Sequence, residues 1–244
     1  IRILIFGPNA EFFPQSSLGH MNSRVAELFG AAGSGVFWRD SGPCFEELAE
    51  ALAEAEAADE PVCLLGTAFG FVHLLDWLAE RDRSFELPLD SRMMDTGGYK
   101  GRSREVAKGE LYRLYGERFG IPLTHIVNEY GMTELGSQFY DSTLRDWVSR
   151  SDAAHLLTNR RRKIPPPWVR VQVVDPESLA PRPDGAEGLL RFVDLANLHT
   201  VLAVQSDDLG VARDGGFEIL GRATGAEPRG CSLAFESFAA AQEL

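Results

Sequence analysis

The decapeptide His125-Ile126-Val127-Asn128-Glu129-Tyr130-Gly131-Met132-Thr133-Glu134 decides how this chain is read. It opens as an apolar, strand-like run, His125-Ile126-Val127, and breaks at Gly131 into a Thr-Glu pair. An aromatic ring, a flexible turn, a hydroxyl and a carboxylate thus stand within five residues, Tyr130 to Glu134. Such groups can stack a base, hydrogen-bond a phosphate and hold a magnesium ion. They are what a site needs to grip ATP and polarise its α-phosphate. Read alone, the segment fits equally well a strand-to-loop junction with an ordinary turn glycine.

Two further segments weigh on that choice. Upstream, after Met93-Met94, lies the glycine-rich turn Asp95-Thr96-Gly97-Gly98-Tyr99-Lys100-Gly101. Downstream lie Ser206-Asp207-Asp208-Leu209-Gly210 and then Gly215-Gly216-Phe217-Glu218-Ile219-Leu220-Gly221-Arg222. In this order the three resemble the nucleotide-binding motifs of the adenylate-forming superfamily, which includes acyl-CoA synthetases, adenylation domains and luciferases. Three stretches narrow the resemblance to acyl-protein synthetases: residues 95–100, the run EYGMTELGSQFYD at 129–141, and Gly221-Arg222-Ala223 through Arg229-Gly230-Cys231-Ser232-Leu233. These are the ATP-dependent acid-activating subunits of the bacterial bioluminescence fatty-acid reductase and their relatives. Similarity runs from the segment at 14–21 to Leu233.

The whole chain sets broader bounds. Its 244 residues suffice to bury a core as one large domain or two small ones. No apolar run approaches the ~20 residues that span a bilayer, and no signal peptide is visible. A net charge of −12 argues against a nucleic-acid surface. Cys44, Cys63 and Cys231 form neither a disulfide pattern nor a metal spacing, which fits a reducing, cytoplasmic setting.

Hydrophobic periodicity gives the organisation. Strands are expected at 3–6, 36–38, 62–65, near 87–94 and at 125–129, alternating with helices at 18–29, along the stripe Phe45, Leu48 and Leu52, after a Thr67 cap, and over 103–119. Gly30 to Gly35 reads as a helix cap and turn, and Gly120 with Pro122 beyond it ends the last of these helices. This alternation predicts an α/β fold with a doubly wound, mostly parallel sheet. Ligands of such sheets bind beyond the carboxyl ends of the strands, where both residues 95–98 and 130–134 fall. A helix is expected over 144–157, then the basic run 160–163 and three prolines. Strands at 169–174, 188–193, 201–205 and 217–220 predict a small antiparallel β subdomain. The division is 1–163 and 164–244.

The resemblance implies roles residue by residue. Tyr130 lines the adenine together with Gly131 and Met132, Thr133 meets the α-phosphate, and Glu134 binds Mg2+. Gly97 and Gly98 let the backbone pass close to the base. Asp208 takes the ribose hydroxyls, with Asp207 as rival, and Arg222 reaches the ribose or a phosphate. Lys100, one of three lysines, can reach a phosphate or the substrate carboxylate, or be a solvated turn lysine. Cys231 is the thiol that takes the acyl group from acyl-AMP and passes it to a reductase; its alternative is a small buried residue. His20 and the stripe Phe69, Phe71 and Leu74 belong to an acyl pocket or to ordinary packing. The basic run reads as a solvated loop rather than a patch for an acyl carrier.

Departures from the superfamily pattern matter as well. No Ser/Thr/Gly-rich phosphate loop precedes these motifs, so the chain is expected to be the C-terminal portion of an enzyme whose N-terminal portion lies elsewhere. Acyl-CoA synthetases carry a lid of about a hundred residues after the Gly-Arg pair, an ordinary domain size. Here twenty-two residues follow Arg222, none of them lysine. Two alternatives stay open: an acyl- or aryl-CoA ligase lacking its lid, and a catalytically silent scaffold or binding subunit.

Overall fold

The computed structural model describes residues 1–97, 106–149 and 161–225. In chain order the elements are β1 (Arg2–Phe6), α1 (Ser17–Phe29), β2 (Gly35–Val36), β3 (Trp38–Arg39), β4 (Gly42–Pro43), α2 (Phe45–Ala57), β5 (Val62–Thr67), α3 (Ala68–Glu80), β6 (Arg92–Thr96) and α4 (Lys108–Phe119). Then follow β7 (Ile126–Tyr130), β8 (Phe139–Tyr140), α5 (Thr143–Ser149), β9 (Val169–Val174), β10 (Glu187–Asp194), β11 (Ala203–Arg213) and β12 (Gly216–Arg222). They group into two compact units, the first Ile1–Asn128 and the second beginning at Glu129. The 163/164 division, drawn just ahead of the strand-and-turn pattern, stays a proposal.

The first unit is built on strands that are apolar on both faces. Ile3 and Ile5 of β1, with Leu65 of β5, pack against Val25 and Ala26 of α1. Leu4, Phe6 and Leu64 point the other way, into a cluster with Leu48 and Leu52 of α2, Phe71, Leu74 and Leu78 of α3, and Tyr115 and Phe119 of α4. Because successive side chains of a strand face opposite ways, continuous apolar runs demand helices on both sides. That is the doubly wound arrangement expected from the sequence. The strand order is β2-β1-β5-β6-β7-β8, with β1 parallel to β2 and β5, and β5 parallel to β6. The antiparallel β8 edge makes the sheet mixed.

Local signals set the helix ends. Thr67 Oγ1 accepts from the Gly70 amide, capping α3 as its sequence suggests. Gly120 closes α4 at φ +67°, a left-handed position that favours glycine. Several boundaries differ from expectation. The stretch 36–38 is divided between β2 and a separate hairpin, β3–β4. β6 lies later than 87–94, so Asp95 and Thr96 belong to the strand rather than to the turn. α4 starts at Lys108, because Ala107 before it is extended (φ −55°, ψ 138°). α5 covers Thr143–Ser149; the rest of the expected helix falls outside the described residues.

The second unit contains the antiparallel sheet β12-β11-β10-β9. Its core gathers Phe139, Val169, Val173, Leu190, Phe192 and Phe217, with Tyr130, Met132 and Leu135 packed against it. β11 is much longer than 201–205: Ser206, Asp207 and Asp208 look like turn residues but continue the ladder, with Asp208 opposite Arg222. Pairing with β12 overrides their low strand propensity.

Among the described residues of the basic run, Arg161 and Lys163 are not solvated. Lys163 Nζ lies 3.0 Å from Asp141 Oδ1, with both side chains at most 3% exposed, and Arg161 reaches Asp141 Oδ2 at 3.2 Å. Lys163 also forms β-bridges to Asp141 and Phe217. Four consecutive charges suggest solvent when read along the sequence, but a carboxylate earlier in the chain, Asp141, draws two of them inside.

Two stability predictions follow from this packing. A Cβ on Gly66 would stand 2.4 Å from the Phe6 carbonyl oxygen and 2.8 Å from the Phe71 ring. Gly66→Ala is therefore expected to lower unfolding free energy by about 1–3 kcal/mol in denaturant titration. Lys163→Met leaves Asp141 buried with one cation fewer and is expected to cost about 3 kcal/mol by the same measurement; a loss under 1 kcal/mol would contradict the buried pairing.

Candidate active site

In the first unit, β6 delivers Asp95 and Thr96 at its carboxyl end, with Gly97 next at φ +77°. A side chain is strained at that angle, so glycine is the natural occupant. Asp95 is 2% exposed. Its Oδ1 accepts from Asn128 Nδ2 at 2.8 Å and its Oδ2 from the Tyr115 hydroxyl at 3.3 Å. The carboxylate thus ties β6 to α4 and β7. Gly98 and Lys100 lie outside the described residues. His20 is exposed on α1, whereas Phe69, Phe71 and Leu74 are fully enclosed in the hydrophobic core, as ordinary packing residues are.

In the second unit, Tyr130 ends β7 and the chain turns out through residues 131–134. A Cβ on Gly131 would stand 2.7 Å from Glu129 Oε1, so the turn lies close against that buried carboxylate. Met132 packs against the phenylalanine core. Thr133 and Glu134 are exposed beside the turn.

The Tyr130 ring packs beside Phe139, Phe192 and Phe217 at centroid distances of 6.1, 5.9 and 6.3 Å. Its hydroxyl donates to Asp208 Oδ2 at 2.6 Å. Arg222, opposite Asp208 in the ladder, brings Nε to 3.3 Å from Oδ1 and Nη2 to 3.7 Å from Asp207 Oδ2. The side chain of Asp207 is 56% exposed and that of Asp208 16%. Alternation along the strand therefore separates the rivals: Asp208 is the one joined to Tyr130. Burial first, and then the negative charge of Asp208, raise the Tyr130 pKa well above that of a free phenol.

A supporting network escaped the sequence reading. Asn197 Nδ2 donates to the Glu134 carbonyl oxygen at 2.8 Å, fixing the backbone that carries the exposed carboxylate. Asp194 Oδ1 accepts from the Ala196 amide and from Ser137 Oγ, which in turn accepts from Trp168 Nε1. The signal was the Asp194-Leu195-Ala196-Asn197 run, an Asx-turn pattern after an apolar strand.

Among the described residues no group of three or more His, Cys, Asp or Glu side chains could hold a metal by itself. A single exposed carboxylate such as Glu134 does fit magnesium, which is commonly bound by one or two carboxylates together with substrate phosphates. Cys44 and Cys63 are free, and burial pushes the Cys63 thiol up to about 11, an unreactive state. Cys231 lies outside the described residues. Among those residues no helix is long and apolar enough to cross a membrane.

Replacing Asn128 with Ala deprives the buried Asp95 carboxylate of its shorter hydrogen bond. Asn128→Ala is expected to lower stability by about 1–3 kcal/mol in chemical denaturation; an unchanged midpoint would show that the Asp95 tie does not hold the strand ends.

Comparison with known proteins places this geometry. The family model for acyl-protein synthetase, LuxE, matches residues 39–239. The long-chain-fatty-acid–luciferin-component ligase of Aliivibrio fischeri is 24% identical over 173 residues, and that of Vibrio harveyi 22% identical over 172. Each alignment covers 70% of this chain and 41% of the relative, so the chain spans about two-fifths of their length. Among solved structures, ATP-bound MatB from Rhodopseudomonas palustris superposes with TM-score 0.55 at 17% identity, covering 91% of this chain and 40% of that one. The amide bond synthetase McbA from Marinactinospora thermotolerans gives 0.54 at 16%, covering 91% and 41%. These likenesses show the fold of adenylate-forming enzymes. With the family model covering most of its length, the chain belongs to the acyl-protein synthetase family.

Proposed function

We propose that this chain forms the nucleotide-binding part of an AMP-forming acid–thiol ligase, which activates a long-chain fatty acid with ATP and passes the acyl group to Cys231. The observation that carries the reading is the Tyr130–Asp208–Arg222 cluster, which joins the EYGMTE and Asp-Leu-Gly to Gly-Arg motifs within one unit. The names of the luciferin-component ligases from Aliivibrio fischeri and Vibrio harveyi supply the substrate class, a long-chain fatty acid.

In the proposed reaction a carboxylate oxygen of the acid attacks the α-phosphorus of ATP. The bond to the bridging oxygen of the β-phosphate breaks, and pyrophosphate leaves. Within the second unit, Asp208 and Arg222 hold the ribose, the Tyr130 ring lines the base with Gly131 and Met132, and Thr133 meets a phosphate oxygen; Gly97, Gly98 and Lys100 keep the roles that the family resemblance implies for them. Glu134 is the residue that would hold Mg2+, which neutralises phosphate charge when bound. Catalysis of such a step is mainly positioning and electrostatics, and hydrogen-bonded groups on paired strands supply rigid positions. In the second step the Cys231 thiolate attacks the acyl carbonyl; a carbon–sulfur bond forms, the bond to AMP breaks, and the thiol proton goes to solvent. The thioester is then handed to an acyl reductase or another acceptor. A cytoplasmic setting fits the thiol chemistry.

The test uses the full natural protein with ATP, magnesium and a panel of fatty acids, comparing wild type with Cys231→Ser by intact-protein mass spectrometry. A hydroxylamine-labile acyl adduct on wild type alone is expected. Steady AMP formation only when CoA is added would replace this reading with a CoA ligase. No pyrophosphate release with any acid would replace it with a silent scaffold.

A further inference from the structure

The hydroxyl of Tyr130 is not needed for packing. Its ring has three phenylalanines around it, Phe139, Phe192 and Phe217, and a fourth would fill that space. A phenol placed among them must be desolvated, which is costly unless it finds a strong partner. The partner is Asp208, at 2.6 Å, in a charge-assisted bond. The elevated phenol pKa, caused by burial and by the Asp208 charge, keeps the proton on Tyr130, so the tyrosine is the donor and the carboxylate the acceptor.

This contact has a consequence for the carboxylate. A carboxylate offers about four acceptor positions over its two oxygens. Tyr130 occupies one on Oδ2, and Arg222 stands 3.3 Å from Oδ1. The hydrogen bond from Tyr130 fixes the plane of the group through Oδ2, the Arg222 contact at Oδ1 is an ion pair rather than a hydrogen bond, and each oxygen keeps an acceptor position. The strand holds it as well: the Asp208 amide donates to Ser206 Oγ at 3.3 Å, and Ser206 Oγ donates to the Leu190 carbonyl at 2.9 Å. A carboxylate locked this way can accept from two adjacent hydroxyls at once, one per oxygen. A freely rotating one would bind a single hydroxyl nearly as well as a pair.

We infer that the Tyr130 hydroxyl is a specificity-determining group, which locks Asp208 so that the site prefers a ribonucleotide, with its vicinal diol, over the 2′-deoxynucleotide. The inference rests on the assignment of Asp208 to the ribose. It gives Tyr130 a second task beside lining the base, carried by the oxygen rather than by the ring.

Calorimetric titration of the full natural protein with ATP and with 2′-deoxy-ATP tests it, using wild type, Tyr130→Phe, Asp208→Ala and the double variant. The ATP to 2′-deoxy-ATP affinity ratio is expected to fall about tenfold in Tyr130→Phe, a change of about 1.4 kcal/mol. In the double variant the ratio should fall no further than in Asp208→Ala alone. A ring that serves only packing or base stacking would lower both affinities together and leave the ratio unmoved; that outcome overturns the inference. If Asp208→Ala lowers the ratio and Tyr130→Phe does not, the inference fails while the ribose assignment stands. If Asp208→Ala leaves the ratio unmoved, both fail. Thermal melts of each variant distinguish a loss of fold from a loss of selectivity.

Discussion

Strands β1 and β5 bury both of their faces at once, and the first unit depends on that constraint. Ile3 and Ile5 go one way, Leu4 and Phe6 the other, and each set needs apolar helix surface opposite. A strand apolar on one face could rest against solvent; one apolar on both cannot. The helices on the two faces answer that demand. A parallel sheet covered in this way leaves its strand ends as the open positions, and β6 ends in the Asp95-Thr96-Gly97 stretch.

The second unit is organised by a different economy, the satisfaction of buried polar groups. Lys163 and Arg161 meet on Asp141, Ser137 links Asp194 to Trp168, and Asn197 holds the Glu134 backbone. None of these contributes chemistry in the proposed reaction. They hold in place the turn that carries Thr133 and Glu134 and the strands that carry Asp208 and Arg222. Adenylation asks mostly for fixed positions, and hydrogen-bonded strands fix a side chain better than loops do.

Several features could be read from local signals because their causes are local. Thr67 caps α3 through its own side chain, and Gly120 adopts the angle that stops α4. The alternation of apolar runs implied the doubly wound sheet. Other features depended on partners far along the chain. Residues 206–208 are polar and turn-like, yet β12 supplies the backbone bonds that keep them extended. The basic run looked solvated because its carboxylate, Asp141, lies about twenty positions away in sequence. Between Asp207 and Asp208, a motif register could only suggest a preference, whereas strand alternation turns one outward and the other onto Tyr130.

Sequence by itself determined the family, the alternation that makes an α/β sheet, and the residue types of the proposed site: these depend on side-chain identity and short-range spacing. Only the tertiary structure decided which aspartate faces the tyrosine, that Asp95 is held by Tyr115 and Asn128, and that Lys163 is buried. Each of those outcomes rests on a hydrogen bond or ion pair between residues at least twenty positions apart. Such pairings exist only once the chain has folded back on itself, so no local pattern encodes them.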